Sequence, residues 1–453
     1  MTHQAYAVID LGFGDSGKGT IVDYLARKTG SNLVVRFNGG AQAGHNVVTP
    51  DGRHHCFSQF GSGTFVEGVR TLLTADVAIH PLGLQKEAAH LRQIGVPDAL
   101  SRLFIDERCL VITPYHQALN CLKELSRGKD AHGSCGIGYG ETIAQSISPN
   151  PNAKYGTMIA WNLRHPCTNQ LEEIREWLLI QADELIKPAF DHHSESDLLW
   201  TKWYSLIKDK ENVDVISKMF LEIGKQLRLV GHWDKGIVSE AKTPIFEGAQ
   251  GVLLDEKWGF PPYYTWSNTT GSQIHDKYGL HPGDGSITTI GVVRAFPTRH
   301  GAGPFPTEDK SLAETVRGDF NLFNQWQGNL RIGYFDHVLN RYAMQACRVS
   351  NFPISALAVT HLDKLHGWVP TWKECSMYYP NIDTITNERR LDAEKLLWAE
   401  GDIRTNMLFD AKPGYEESSS DEHNVVRRIE SYAEVPVVIK STGSTAKNKI
   451  SIL

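Results

Sequence analysis

The chain has 453 residues, 46 basic and 52 acidic side chains for a formal net charge of −6, and an ordinary hydrophobic content of 41%. No block of five or six like charges occurs, which argues against a partner nucleic acid held in a basic groove. No apolar run approaches the roughly 20 residues needed to cross a bilayer. The opening Met1-Thr2-His3-Gln4 lacks a basic, then apolar, leader pattern, and the seven scattered cysteines show no CxxC or zinc-ligand spacing. Both features point to a reduced, cytoplasmic protein with no membrane partner.

In chain order, Tyr6–Leu11 reads as a short buried strand, followed by a glycine loop and a helix over Thr20–Ala26 with Ile21, Tyr24 and Leu25 on one face. Further core strands are expected at Leu33–Phe37, Val69–Leu73, Leu103–Ile105, Pro244–Phe246, Ile290–Val293 and Ala356–Val359. Helical patterns lie between them, at 83–95, 116–127, 169–187 and 336–348. This alternation predicts an α/β fold with a central, mostly parallel sheet flanked by helices. The whole of 1–453 reads as one domain, with a mainly helical insertion near 150–240; Ser418–Glu422 is a polar loop and not a hinge.

The densest chemistry is in Gly12-Phe13-Gly14-Asp15-Ser16-Gly17-Lys18-Gly19. A strand, a glycine loop, a lysine and a helix form a phosphate cradle: backbone N–H groups converge on the anion, and the helix N-terminus adds a favourable dipole. The spacing matches a phosphate-binding loop, but Gly19 stands where that motif puts a magnesium-binding hydroxyl. Asp15 would repel phosphate unless a metal lies between them or the carboxylate moves protons.

These residues, with Val35–His45, Phe246–Gly251, Thr265–Thr270, Thr298–Glu308, Thr360-His361-Leu362-Asp363 and Ser441-Thr442-Gly443, resemble the adenylosuccinate synthetase family in order and spacing over nearly the whole chain. The resemblance implies the P-loop-like fold of that family and a magnesium-dependent ligase that uses GTP as co-substrate. Such an enzyme phosphorylates the purine 6-oxygen of IMP and lets the amine of aspartate displace the phosphate. It implies Asp15 as the general base at purine N1 and a Mg²⁺ ligand, and the Gly44 carbonyl as a second ligand. His45 becomes the acid or charge stabiliser at the transferred phosphoryl group. Lys18, with Gly14, Ser16, Gly17 and Gly19, holds the triphosphate. Gln42 (where the family has Asn), Gln250 and Thr265 line the monophosphate pocket. His361, Ser441, Gly443 and Asp363 surround the second base. Asp363 has a reason of its own, since a carboxylate accepts the paired donors of guanine that adenine lacks. A homodimer, with each site completed by the partner subunit, is implied as well.

One departure is on the energy-donor side, where His361 stands in place of the family's lysine; the larger ones fall on the acceptor side. The family's arginine-rich loop is here Trp326–Asp336, of which Arg331 alone remains; His300 is the other residue placed to help it hold a carboxylate. Losing guanidiniums removes bidentate carboxylate recognition. Ser134 and Cys135 replace a pair of threonines in the monophosphate site, and Lys154 takes the place of the partner's arginine. Three readings follow: an ordinary family enzyme, a divergent one with another amino donor or purine nucleotide, and a catalytically silent guanine-nucleotide-binding regulator. A dinucleotide-dependent dehydrogenase is disfavoured because Val35-Arg36-Phe37 offers no acidic residue for a ribose.

Overall fold

The computed structural model describes residues 4–148, 154–185, 195–231, 234–312, 323–367, 371–379 and 391–452. Ten strands form one sheet: β1 Ala5–Asp10, β2 Leu33–Arg36, β3 Arg70–Leu73, β4 Leu103–Asp106, β5 Arg228–Val230, β6 Ile245–Glu247, β7 Ile287–Arg294, β8 Ala356–Thr360, β9 Val437–Ser441 and β10 Lys449–Ser451. Their spatial order is β5-β4-β3-β2-β6-β1-β7-β8-β9-β10. Every pairing is parallel except β9 with β10. The expected class, a mostly parallel sheet between helices, is therefore the one observed.

The central strand shows why. All six residues of β1 are buried. Ala5, Ala7 and Ile9 enter one hydrophobic cluster; Tyr6 and Val8 enter another, which also holds Ile21, Val22, Leu25 and Ala26 of helix α1 Lys18–Thr29. Period-two alternation with both faces apolar is what a sheet covered on both sides requires.

Between β3 and β5 lie α2 Pro81–Gln93, α3 Pro114–Arg127, α4 Tyr139–Ile147, α5 Thr168–Glu184, α6 Glu195–Lys208 and α7 Asn212–Gln226. Residues 186–187 of the expected helix 169–187 lie outside the described residues. Among its described residues, the expected helical stretch contains one strand, the edge strand β5, which is too short to show a period of its own. Strands β9 and β10, and an antiparallel pair at Thr371–Tyr379 and Lys412–Ser419, were not anticipated.

The connectivity fixes the site. From β1 the chain works outward through β2, β3, β4 and β5, returns to insert β6 beside β1, and then proceeds the other way through β7, β8 and β9. The carboxyl ends at that reversal carry Asp10, Arg36, Glu247, Arg294, Thr360 and Ser441. In open parallel sheets this crevice is where ligands bind.

Candidate active site

The loop after β1 is built on a buried carboxylate. Asp10 Oδ1 accepts from Gly12 N at 2.8 Å and Ser16 Oγ at 2.8 Å, and Oδ2 accepts from Ser16 N at 3.0 Å. Gly14, Asp15 and Gly17 all take left-handed backbone angles (φ 93, 57 and 92), so the chain turns sharply before entering α1. Asp is one of the few non-glycine residues that tolerates this. Lys18 is 3% exposed, and its Nζ lies 2.8 Å from Asp10 Oδ2. The expected phosphate-binding ammonium is thus held from beneath by a carboxylate. Ser16 spends its hydroxyl on the same carboxylate and lines neither of the two larger cavities at the strand ends.

A second buried pair lies across the loop. His45 Nδ1 donates to Glu247 Oε1 at 2.6 Å, and Glu247 also accepts from Ser62 N at 2.9 Å and from Ser62 Oγ. Burial opposes ionisation of Glu247, but His45, Arg36 and Ser62 together hold its carboxyl down to about 2. Burial keeps His45 below its ordinary value against the pull of Glu247, with Arg36 and Lys18 adding to the depression. The imidazole therefore rests neutral, with Nδ1–H on Glu247 and Nε2 left for a ligand.

Two cavities open at the strand ends. One, of about 300 Å³, is walled by the phosphate loop, the ends of α3 and α4, and the segments 250–266 and 299–302. The other, of about 450 Å³, is walled by the start of α1, by 360–364 and by 441–448. Asp15, Lys18, Gly44 and His45 line both, so the cavities meet at these four residues. Gly14, Gln42, Ser134, Cys135, Gln250, Thr265 and His300 line the first; Gly17, Gly19, His361, Asp363, Ser441 and Gly443 line the second.

Several of these side chains await a partner. Among the described residues, the carboxamides of Gln42 and Gln250 are buried with neither nitrogen nor oxygen hydrogen-bonded, and His300 Nδ1 is in the same condition. A buried amide without partners costs free energy that a bound ligand recovers. His300 Nε2 lies 3.6 Å from Asp15 Oδ2. Ser134 differs from expectation: its hydroxyl donates to Asn120 Oδ1 at 2.9 Å, and its N–H points to Glu124 Oε2 at 3.3 Å, shared with Gly133 N at 2.9 Å. Burial raises the Cys135 thiol to about 11, so it is a neutral, weak donor.

Two expected ligands are not brought to either cavity in this single chain. Arg331 is engaged on every side. Its Nε and Nη2 lie 3.0 and 2.5 Å from Glu308 Oε2, and its Nη1 lies 3.1 and 2.9 Å from the carbonyls of Gly301 and Gly303. The cause is local pairing, since Arg331 and Ile332 run antiparallel to Thr298 and Arg299 and face the turn that follows. Lys154 is exposed, with Nζ 5.4 Å from the Tyr155 ring centroid.

A divalent cation fits the junction in one way. Among the described residues no three His, Cys, Asp or Glu side chains converge, so there is no all-protein cage. Magnesium carried on phosphates needs only one or two protein oxygens besides water. Asp15, with its side chain 31% exposed, and Gly44 stand at the meeting of the cavities and suit that arrangement.

The family model of adenylosuccinate synthetase matches residues 7–450. The chain belongs to the adenylosuccinate synthetase family. The adenylosuccinate synthetase of Clostridium beijerinckii is 32% identical over 448 residues, covering 96% of this chain and 92% of the relative. Adenylosuccinate synthetase 1 of Pseudoalteromonas translucida is 31% identical over 461 residues, covering 96% and 95%. Among solved structures, fully ligated adenylosuccinate synthetase from Plasmodium falciparum superposes with a TM-score of 0.74 at 22% identity, covering 99% of this chain and all of that one. The succinoaminodeoxyadenylate synthetase of cyanophage S-2L, bound to dGMP and dATP, gives 0.60 at 15% identity, covering 100% and 96%. The chemistry of the chain is accordingly that of an adenylosuccinate-synthetase-like ligase in a nucleotide-binding, purine-biosynthesis-related family.

Sequence reasoning passed over Glu247, Asp10 and Glu124. Each is an acidic residue inside an apolar or helical run, and a buried charge in such a setting is rare without a partner. That was the available signal, but the partners come from distant stretches of chain.

Proposed function

We propose that the protein couples IMP to aspartate at the expense of GTP, giving adenylosuccinate, with Mg²⁺ carried on the triphosphate. The observation that supports this is the meeting of two nucleotide-sized cavities at Asp15, Lys18, Gly44 and His45. A phosphoryl donor in the larger cavity and an acceptor purine in the smaller one would place γ-phosphate and 6-oxygen at this junction. That is the positioning phosphoryl transfer needs.

In this reading Asp15 takes the N1 proton of the purine, which makes the 6-oxygen nucleophilic toward the γ-phosphorus. Lys18 and the loop N–H groups carry the charge of the triphosphate. His45 Nε2 lies beside the transferring group; an adjacent phosphate favours the imidazolium, and Glu247 neutralises it across the ring. The cation held by Asp15 and Gly44 would supply further charge neutralisation. The amine then attacks C6: the C–N bond forms, the C6–O bond breaks, and phosphate leaves with the bonding pair. Asp363 supports guanine as the energy-donor base. A homodimer in which Lys154 reaches the partner's site belongs to the same proposal.

One observation favours a second reading, with another amino donor or purine. Arg331 is occupied by Glu308 and by two carbonyls, so it offers a dicarboxylate no free guanidinium face. The cyanophage protein of similar fold is bound to dGMP and dATP, which supports variation of the nucleotides on this scaffold.

The deciding experiment measures phosphate release and the purine absorbance change with GTP, Mg²⁺, a purine monophosphate and an amine panel. Release that requires all components, fastest with IMP and aspartate, is expected. Fastest turnover with another amine supports the second reading. Binding of GTP without substrate-dependent release sinks both.

A further inference from the structure

The larger cavity carries, two residues before Asp363, a ring whose proton arrangement is set by its surroundings. Thr360 Oγ1 lies 2.7 Å from the Ser16 carbonyl, which can only accept, so the hydroxyl proton points there. The same Oγ1 lies 2.9 Å from His361 Nδ1. With its proton already committed, the oxygen accepts, and Nδ1 carries the hydrogen. Burial, then the nearby cations Arg294, Lys449 and Lys364, keeps the ring neutral. A neutral imidazole protonated at Nδ1 leaves Nε2 as a bare acceptor, and among the described residues no protein group hydrogen-bonds it.

The ring is also well fixed in place. His361 sits in the left-handed region (φ 59), its carbonyl accepts from Lys364 N at 3.1 Å, and the Phe296 ring meets it edge-on at 6.1 Å between centroids. His361 and Asp363 line the same cavity, so one wall presents two acceptors and, at position 361, no donor. This matters for the 6-substituent of a purine. The 6-oxygen of guanine beside Nε2 brings two lone pairs together, whereas the 6-amino group of adenine donates to it.

We propose that His361 shifts the energy-donor site toward 6-aminopurine nucleotides, so that ATP serves as phosphoryl donor alongside GTP. This rests on reading the larger cavity as the triphosphate site, and it widens the range of bases that cavity takes.

The test is nucleotide binding by the full chain, measured by calorimetry with GDP and ADP, for the wild type, His361→Lys and His361→Gln. Lysine restores a donor, and glutamine offers an amide donor without added charge. The GDP-over-ADP affinity ratio is expected to rise about tenfold or more in His361→Lys, the size of repairing one mismatched buried hydrogen bond, and to rise in His361→Gln as well. A smaller change, or no binding of either nucleotide by the wild type, overturns the proposal; should the lysine variant not fold, the glutamine variant is judged by the same tenfold criterion. Ligation assays with both triphosphates separate the two readings. A shifted binding ratio with no ligation by either nucleotide would sink the ligase reading and leave the role of His361 standing.

Discussion

The chemistry at the junction depends on carboxylates that never touch a ligand cavity from within. Glu247 holds His45 in one tautomer, and Asp10 holds both Lys18 and the loop N–H groups. Two substitutions separate touching from positioning. Asp15→Asn should reduce phosphate release by about 10²–10⁴-fold with an unchanged melting temperature, because in the proposed reaction it removes the base and a cation ligand while altering only a part-exposed side chain. A variant retaining more than a tenth of wild-type turnover would end that assignment. Glu247→Gln should lower kcat by about tenfold to a hundredfold while leaving KM values close to wild type, as loss of an orienting partner does. The two acids also set opposite pH trends. Glu247, held at about 2 against an ordinary 4.5, contributes stability above pH 4.5 that is lost as pH falls through about 2. Burial lifts Asp336 from an ordinary 3.8 to about 6, so its contribution is greatest below 3.8 and is lost as pH rises through about 6. In urea unfolding, Asp336→Asn should therefore show a smaller loss of stability than wild type between pH 4.5 and pH 7.

At the scale of elements, the start of α1 packs so closely on the strand bearing His45 that no side chain fits at Gly19. A Cβ there would lie 2.9 Å from His45 Cβ and 3.2 Å from the Asn46 carbonyl. Helix propensity alone favours Gly19→Ala by about 1 kcal/mol. The packing argues the reverse: the variant should lose both stability and turnover, and a higher melting temperature with full activity would refute the close-packing argument. The loop at Gly133–Ser134 depends in the same way on Glu124, which binds two of its N–H groups and Arg127. Glu124→Ala should raise KM for the purine monophosphate at least about tenfold, through loss of several charge-assisted bonds, while KM for the triphosphate stays within about twofold.

Across the whole molecule, the apolar runs and the glycine loop were legible because they are local. Strands at 5–10, 33–36, 103–106, 245–247 and 356–360 each announce themselves in a few buried residues. The helix expected over Thr20–Ala26 extends to Lys18–Thr29. Edge strands β5 and β10 were not legible, since three residues carry no period and their identity comes from the neighbour they pair with. The same holds for the site. Asp15, His45 and Asp363 lie in distinctive blocks, whereas the pairing of Glu247 with His45 spans 202 positions. The engagement of Arg331 by Glu308 is likewise set by strand register and not by composition.

The meeting of the cavities has a consequence for redesign. Outside the segments 13–20, 42–48 and 327–330, which serve both, the walls come largely from separate stretches of chain: 120–141 and 250–266 on one side, 360–364 and 441–448 on the other. Changes at well-separated sites without shared partners are close to additive. The choice of fuel and the choice of acceptor are therefore two dials that can be turned independently. Asp15, Lys18, Gly44 and His45 form the axle on which both turn, and a change there disturbs both settings at once.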